Sequence, residues 1–359
     1  MKQKLINKDL FIDRINELEI LTNGLKNGSD YILIAPRRYG KTTLVNKVFN
    51  NINKDKNYLL LSIDIMRYSG SIRHLAINIT DKCLSLLGLA GKLYAILDKV
   101  ELSLKLKVSW GDIELEPILK LLKSDPNTYD ELKLLEHALE LLEAIAIKKK
   151  KSIIVFFDEF GELYHLGESV VKLFRSVLQS HKHVSYIFAG SQETLMDHIF
   201  VDKNSAFFRF GTIINLGKLE EKEVLEYFMF AGFNFEISHK ILDILKCHPY
   251  YTSKTIQDLH NNHFYAKDTS SFLKYLEQLL IDESSYLEML IQKLSSKSYA
   301  LDVLSNIARG VANNFGLEDK SRQYISNIIS LLYKDGYIKK LSRGVYELTD
   351  PLLKLYLIS

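Results

Sequence analysis

The sequence predicts an α/β fold with a parallel sheet, then a helical region and a C-terminal winged helix-turn-helix. Three observations support this. Up to Leu216, apolar runs of strand length alternate with helical patterns, which is the order of βαβ units. After Leu216 the pattern is helical until the chain nears its end. There, residues 299–309 and 322–333 are predicted as helices and residues 337–349 as two short strands.

The first apolar run, Tyr31–Ile34, leads through a short loop into a helix that opens with Gly40, Lys41 and Thr42. This is the arrangement of a P-loop (here residues 35–42), whose backbone N–H groups cradle a polyphosphate. Lys41 is expected to reach the β- and γ-phosphates, and Thr42 to bind Mg²⁺. Ala35 replaces the first glycine of the motif, which is costly only if that residue needs a positive φ. An ordinary strand–turn–helix with an exposed lysine is the alternative.

Two carboxylates, Asp158 and Glu159, follow directly after a buried apolar strand at residues 152–157. Ligands of an open parallel sheet bind at the carboxyl ends of its strands, so these acids are expected near the P-loop. Asp158 is expected to hold Mg²⁺, directly or through water, and Glu159 to polarise an attacking water. An acidic turn is the alternative, although it explains a pair of acids less well than a single one.

Two more side chains are candidates for the same chemistry. Ser191 follows the apolar run 184–190, where it is placed to sense the γ-phosphate, to cap the next helix, or both. Arg209 lies between two phenylalanines just before the last apolar run of the core. An arginine in that position suits contact with a phosphate, in cis or across a subunit, and a stacked structural role is equally consistent.

Candidate contacts to the base lie before and after the core. Phe11 and Arg14 begin the helix that leads into the P-loop strand, so they are expected beside the adenine, with a packing helix as the alternative. His248 and Pro249 start the third helix of the helical region. They are either a nucleotide contact or a helix-initiating pair.

Composition limits the classes of protein to consider. The chain has 47 basic and 44 acidic residues, so a polycation that coats nucleic acid is not expected, although a local basic patch is compatible. Two distant cysteines, Cys83 and Cys247, support neither a disulfide framework nor a zinc site and suggest a reducing compartment. The start lacks a secretory signal, and no apolar run approaches the roughly 18 residues of a membrane helix. A cytoplasmic protein without membrane association is expected.

Three domains are predicted. Residues 1–218 form the core, with a β-hairpin insertion at about 100–117, residues 219–290 a helical lid, and residues 291–359 the winged helix. In the last domain a helical pattern places four apolar residues toward the core: Ile325, Ile328, Ile329 and Leu332. The opposite face is polar with little positive charge: Arg322, Gln323, Ser326, Asn327, Ser330 and Lys334. Double-stranded DNA and a protein therefore both remain possible partners.

Together these motifs resemble the AAA+/STAND-type P-loop ATPases of the archaeal ATPase family, in its MNS-like clade. The matching segments are Phe11–Arg14, Pro36–Thr42, Phe157–Phe160, Phe188–Ser191, Phe207–Gly211, His248-Pro249 and Tyr346–Pro351. The resemblance implies a P-loop NTPase core with a five-stranded parallel sheet, a helical lid and a C-terminal winged helix. It also implies binding of ATP or ADP with Mg²⁺.

The resemblance and the motifs together assign the site. The expected nucleotide-binding residues are Phe11, Arg14, Pro36, Arg37, Arg38, Tyr39, Gly40, Lys41, Thr42, Thr43, His248 and Pro249. The expected catalytic residues are Lys41, Glu159, Ser191 and Arg209, and the expected Mg²⁺ ligands are Thr42 and Asp158.

The expected function is a Mg²⁺-dependent ATPase that acts as a nucleotide-controlled switch and repositions the winged helix. A DNA-binding regulator in which ATP or ADP is mainly a structural ligand is the alternative, with Arg322, Lys339, Lys340 or Arg343 contacting DNA. A phosphotransferase ranks last, because the acid pair favours water as the acceptor. Oligomers are compatible with each of these functions.

Overall fold

The computed structural model describes residues 14–89, 109–110, 113–114, 118, 130–191, 193–260, 268–297, 299–311, 315, 317 and 320–358. The chain divides into two compact units. The sheet unit consists of Ile15–Pro36 and Lys41–Leu216. Among the described residues, the C-terminal unit comprises Arg14, Arg37–Gly40 and the chain from Gly217 onward.

The sheet unit has seven strands within its described residues: β1 Tyr31–Ile34, β2 Tyr58–Asp64, β3 Ser109–Trp110, β4 Ile113–Glu114, β5 Ser152–Asp158, β6 Val184–Gly190 and β7 Thr212–Asn215. Five of them form one parallel sheet in the order β2-β5-β6-β1-β7. Every residue of β1 and β6 is buried, which explains why these strands are continuous apolar runs rather than alternating ones. The predicted α/β fold with a five-stranded parallel sheet is confirmed.

One helix precedes the first strand, α1 Ile15–Lys26. Others lie between the strands: α2 Lys41–Ile52, α3 Ile72–Leu86, α4 Glu131–Lys149, α5 Glu168–Leu178 and α6 Glu193–Phe200. The core of the unit includes a group of aromatic rings beneath the end of β5. Phe160 and Phe188 pack edge to face with their centroids 4.7 Å apart, and Phe157 stacks on Phe188 at 5.8 Å. Such pairs bury large apolar areas in fixed geometry, so they fix the chain that follows β5.

The predicted hairpin insertion is described in part. Strands β3 and β4 pair antiparallel, with Ser109 opposite Glu114 and Trp110 opposite Ile113. Its turn residues, Gly111 and Asp112, and the rest of the predicted insertion lie outside the described residues.

The C-terminal unit is mainly helical: α7 Glu221–Phe230, α8 Phe235–Leu245, α9 Pro249–His260, α10 Thr269–Asp282, α11 Ser284–Ser295, α12 Ala300–Ala308, α13 Arg322–Lys334 and α14 Pro351–Ile358. An antiparallel hairpin, β8 Ile338–Ser342 and β9 Val345–Leu348, lies between α13 and α14. The four apolar residues predicted to face inward on α13 are buried. One cluster of buried residues extends from Leu219 to Leu353, and the division into lid and winged helix stays a prediction.

Helix α9 begins at Pro249, in agreement with the prediction that His248 and Pro249 start the third helix of this region. Proline suits the first position of a helix, because its fixed φ is helical and it lacks an N–H that would have no partner there. Within the described residues, no helix combines the length and the apolar character that a membrane crossing requires.

Candidate functional site

The strand register brings the predicted core residues to one edge of the sheet. Ile34 at the end of β1 lies opposite Gly190 at the end of β6, and Phe157 in β5 lies opposite Phe188. Asp158 at the end of β5, and the segments that follow β1 and β6 from Ala35 and Ser191 onward, therefore lie at the same carboxyl edge. This is where a parallel sheet binds ligands.

Thr42 and Asp158 meet at this edge. The Thr42 hydroxyl donates to Oδ2 of Asp158 at 3.0 Å, and the Glu159 N–H donates to Oδ1 at 3.0 Å. Burial raises the pKa of Asp158 and the charge of Glu159 raises it further, while the hydrogen bond from Thr42 acts in the opposite direction. A cation at this point would relieve the cost of burying the carboxylate.

Glu159 is held by Ser191. Its Oε2 accepts hydrogen bonds from the Ser191 N–H at 3.0 Å and from the Ser191 hydroxyl at 2.8 Å. The backbone of Glu159 has φ +48°, a left-handed conformation that is unusual for a residue with a side chain. Strained backbone of this kind is concentrated at functional sites.

Lys41 is buried, with 6% of its surface exposed. Its ammonium donates to the carbonyl oxygens of Ala35 at 2.8 Å and Pro36 at 3.1 Å, so it lies under the loop that precedes it. An exposed lysine after an ordinary turn, the alternative considered for this motif, is therefore wrong.

The backbone explains the departure from the P-loop motif. Ala35 does not have a positive φ, so a side chain costs nothing in conformation there. Gly40 has φ +84°, and apart from its two chain neighbours no described residue places a heavy atom within 4 Å of the position that a Cβ would occupy. The glycine is therefore required by conformation, and the space beside it is open.

These residues fit a magnesium–nucleotide complex. Thr42 offers a hydroxyl oxygen and Asp158 a carboxylate oxygen, and the two atoms are 3.0 Å apart. The residue before Thr42 is the buried Lys41. Mg²⁺ commonly binds one or two carboxylates and takes its remaining ligands from phosphates and water. The described residues contain no group of three or more His, Cys, Asp or Glu side chains that could hold a metal ion among themselves.

A sequence profile of a family described as an ATPase domain predominantly from Archaea matches residues 11–240, well over half of the chain. The chain belongs to this family. As a member of the archaeal ATPase domain family it is a P-loop protein, and membership of an ATPase family implies nucleotide binding. The STAND assignment and the MNS-like clade stay predictions.

Solved structures agree in fold with this member of the family. The Walker-type ATPase PABY2304 of Pyrococcus abyssi superposes with a TM-score of 0.67 at 17% identity, over 97% of this chain and 96% of that one. The ORC2 protein of Aeropyrum pernix, in ADPNP–ADP complexes, gives 0.55 at 11% identity, over 96% and 92%. At these identities the likeness extends to the fold alone. No curated protein matches the chain.

His248 is buried in the C-terminal unit, with 2% of its surface exposed. Its ring centroid lies 5.0 Å from that of Tyr39 and 4.6 Å from that of Tyr251. Burial lowers its pKa to about 3, and the charges of Lys218 and Arg38 act in the same direction. The imidazole is therefore neutral, and its Nδ1 has no hydrogen-bond partner among the residues that the structure describes. Direct contact of His248 and Pro249 with a nucleotide stays a prediction.

The other predicted binding residues have varied settings. Arg14 is buried and donates to the carbonyl oxygen of Gly217, while Phe11 lies outside the described residues. Arg37 and Thr43 are exposed, and Pro36 is half-buried. Direct nucleotide contacts by these residues stay predictions.

Arg209 is not brought to the same edge. It precedes β7, whose first residue, Thr212, lies opposite Tyr31 at the start of β1. Arg209 therefore lies at the amino edge of the sheet, whereas Lys41 follows the carboxyl end of β1. Its guanidinium lies 5.2 Å from the ring centroid of Phe208. This placement disfavours contact in cis and leaves a contact across a subunit or a structural role.

One set of contacts at the P-loop involves a residue that no sequence motif indicates. Arg38 forms an ion pair with Glu283 at 2.7 Å and lies against the rings of Tyr250 and Tyr286. Glu283 is 245 positions away and belongs to no motif.

Proposed function

We propose that this member of the archaeal ATPase domain family binds ATP with Mg²⁺ and hydrolyses it. The observation that carries the proposal is the contact between Thr42 and Asp158. Lys41, which is buried, precedes Thr42, and Glu159, which is hydrogen-bonded by Ser191, follows Asp158. Each of these side chains has the chemistry that phosphoryl transfer to water requires.

The roles of these four residues and of Ser191 follow from their present contacts. The Lys41 ammonium, now bonded to two neutral carbonyl oxygens, would bind the more strongly attracting phosphate oxygens. Thr42 and Asp158 would hold Mg²⁺, which supplies positive charge to the phosphates. Glu159 would accept a proton from the attacking water, and Ser191 would orient its carboxylate.

We further propose that the protein is a nucleotide-controlled switch that repositions a C-terminal winged helix. The proposal is supported by the division of the chain, because P-loop residues Arg37–Gly40 belong to the C-terminal unit. A change in the loop between nucleotide states would therefore act on the unit that contains α13 and the hairpin β8–β9.

Titration calorimetry with ADP, and with ATP and Mg²⁺, tests the binding step. Lys41→Ala is expected to weaken affinity by on the order of 100-fold, because a charge-assisted contact to phosphate is lost. Lys47→Ala, on the same helix α2, is the control for removing one positive charge. Equal affinities of Lys41→Ala and the parent would remove Lys41 from the site and contradict the proposal.

A DNA-binding regulator is the second candidate, supported by the exposed positive charges of Lys340 and Arg343 at the hairpin β8–β9. Lys339 is a weaker candidate than the sequence suggested, because it forms an ion pair with Glu347 at 2.9 Å. A gel shift with duplex DNA at low salt, with and without ATP, tests this function. DNA affinity that falls with salt and in the double variant Lys340→Ala/Arg343→Ala would support it. If the hairpin instead contacts a protein partner or a second copy of the chain, the gel shift is expected to be the same for the parent and the double variant.

A further inference from the structure

Glu283 is a buried carboxylate that none of the proposed catalytic steps uses. It is 6% exposed and lies between α10 and α11 in the C-terminal unit. A buried carboxylate is unfavourable unless it is paired and hydrogen-bonded. Both of its oxygens are engaged: Oε2 is 2.7 Å from Nη1 of Arg38, and Oε1 accepts a hydrogen bond from Tyr250 at 2.8 Å.

The guanidinium of Arg38 is also held by aromatic rings. Its central carbon lies 3.5 Å from the ring centroid of Tyr286 and 4.5 Å from that of Tyr250. Tyr286 is one turn beyond Glu283, and its N–H donates to the Glu283 carbonyl oxygen, so a single helix start supplies both a carboxylate and a ring. Burial by itself lowers the pKa of Arg38, but the hydrogen bond to Glu283, followed by the neighbouring tyrosines and then the charge of Glu283, raises it overall. The side chain is therefore fixed by an ion pair and two stacking contacts.

The backbone of Arg38 needs such contacts. Its φ is +66°, in the left-handed region that disfavours every residue with a Cβ. Gly40 has φ +84°, whereas Tyr39 between them does not have a positive φ. Backbone in which residues with positive φ alternate with residues without it turns successive N–H groups toward one point, and it is typical of anion-binding loops. A strained residue keeps its conformation only when its surroundings hold it there.

We infer that Glu283 is a positioning residue for the nucleotide site: by holding Arg38, it fixes the P-loop backbone in the shape that receives phosphate. This inference rests on the proposed ATP site and adds a residue that no motif contains. Arg38 then contributes to phosphate binding through its backbone, because its guanidinium is held by Glu283 and the rings of Tyr250 and Tyr286.

The network continues beyond Glu283. Nη1 of Arg38 also lies 3.5 Å from the Tyr251 hydroxyl, which donates at 2.9 Å to Oδ2 of Asp350, the residue just before α14. Oδ1 of Asp350 accepts hydrogen bonds from the N–H groups of Leu352 and Leu353 at the start of α14. The same contacts that hold Arg38 therefore reach the last helix of the C-terminal unit.

The two possible roles of Arg38 predict opposite changes in ADP affinity for the variant Glu283→Gln. If Glu283 positions the loop, Glu283→Gln weakens ADP binding, because the charged contact that holds Arg38 is lost. If Arg38 instead binds phosphate directly, Glu283→Gln strengthens ADP binding, because the guanidinium is freed from a competing carboxylate.

The test is titration calorimetry with ADP on the full chain. Glu283→Gln is expected to weaken affinity by about 5- to 150-fold, the range of typical coupling between distant groups. Glu288→Gln, an exposed position on the same helix α11, is the matched control and is expected to bind as the parent does. At saturating Mg²⁺-ATP, phosphate release by Glu283→Gln is expected to reach the parent rate, because the residue acts on binding and not on the chemical step.

A second variant keeps the inference falsifiable if Glu283→Gln is unstable. Glycine adopts the left-handed conformation without cost, so Arg38→Gly removes the need for a positioning contact. In that background the further change Glu283→Gln is expected to leave ADP affinity unchanged, whereas a residue that only stabilises the fold would cause the same loss in both backgrounds.

Three results would overturn the inference. Unchanged or tighter ADP binding by Glu283→Gln, with a parent that binds ADP, contradicts the positioning role alone. Equal losses in the parent and Arg38→Gly backgrounds contradict it in the same way. A parent that does not bind ADP or ATP contradicts the proposed function and this inference together.

Discussion

The hydroxyl of Thr42 donates a hydrogen bond to Oδ2 of Asp158 at 3.0 Å, across 116 positions of sequence. Thr42 lies in the first turn of α2, which follows β1, and Asp158 is the last residue of β5. Parallel pairing of β1 and β5 with the strand between them places the two side chains at one edge. This contact joins the two halves of the proposed magnesium site.

Removing either partner is expected to reduce the magnesium-dependent part of ATP affinity. Thr42→Ala and Asp158→Asn should each narrow the difference between ATP affinity with Mg²⁺ and ATP affinity with EDTA, because each variant removes one proposed metal ligand. Calorimetry under both conditions measures this difference. Asn46→Ala, exposed on α2, serves as the control, and an undiminished magnesium effect in both site variants would exclude a shared metal.

Ser191→Ala is expected to lower kcat by about 10-fold and to change KM little, since one hydrogen bond that orients Glu159 is lost and the one from the backbone remains. Ser191→Thr keeps a hydroxyl and should retain most of the rate. Steady-state phosphate release measures both variants. A rate for Ser191→Ala equal to that of the parent would mean that the hydroxyl does not position Glu159.

Ala35→Gly is expected to leave ATP affinity unchanged, although it restores the first glycine of the P-loop motif. Ala35 does not have a positive φ, so glycine gains nothing in the folded state. Gly40→Ala is the contrasting variant and should weaken binding, because φ +84° strains alanine by about 1–2 kcal/mol. Tighter ATP binding by Ala35→Gly would show that alanine limits the loop.

Asp30→Asn is expected to stabilise the protein above pH 6 and to have no effect on stability at pH 3. Burial raises the pKa of Asp30 from 3.8 to about 6, with the Tyr186 N–H acting against it. The native carboxyl therefore keeps its proton to higher pH than the unfolded one, so its stabilising contribution falls as pH rises from about 4 to 6. The difference amounts to at most about 3 kcal/mol.

Thermal melting from pH 3 to pH 8 measures this effect. Asparagine still offers an oxygen to the Tyr186 N–H, which Asp30 now binds at 2.8 Å. Asp243→Asn, at an exposed helix position, is the control for removing a carboxylate. If the two variants and the parent gave parallel curves, Asp30 would not be a source of the pH dependence.

The placement of the proposed catalytic residues that follow strands was predictable, because parallel strands of one sheet end at the same edge. Lys41, Asp158 and Ser191 each follow an apolar run, and parallel strands of one sheet end at one edge. The same rule separates Arg209, which comes before its strand, from these residues. Local sequence was therefore sufficient wherever a side chain is placed by the end of a strand.

The contact between Arg38 and Glu283 was not predictable in this way. It joins a loop to a helix start 245 positions away, and neither sequence periodicity nor a short motif encodes such a pair. The start of α9 at Pro249 has a local explanation, but the burial of His248 beside Tyr39 depends on tertiary packing. Only the folded chain reveals which side chains hold the P-loop backbone.

The most direct measurement of the central claim is ATP binding and phosphate release by Glu159→Gln under saturating Mg²⁺-ATP. The account predicts ATP affinity close to that of the parent and phosphate release slower by about 100-fold or more, because glutamine cannot accept the proton of the attacking water. Phosphate release at the parent rate would contradict it.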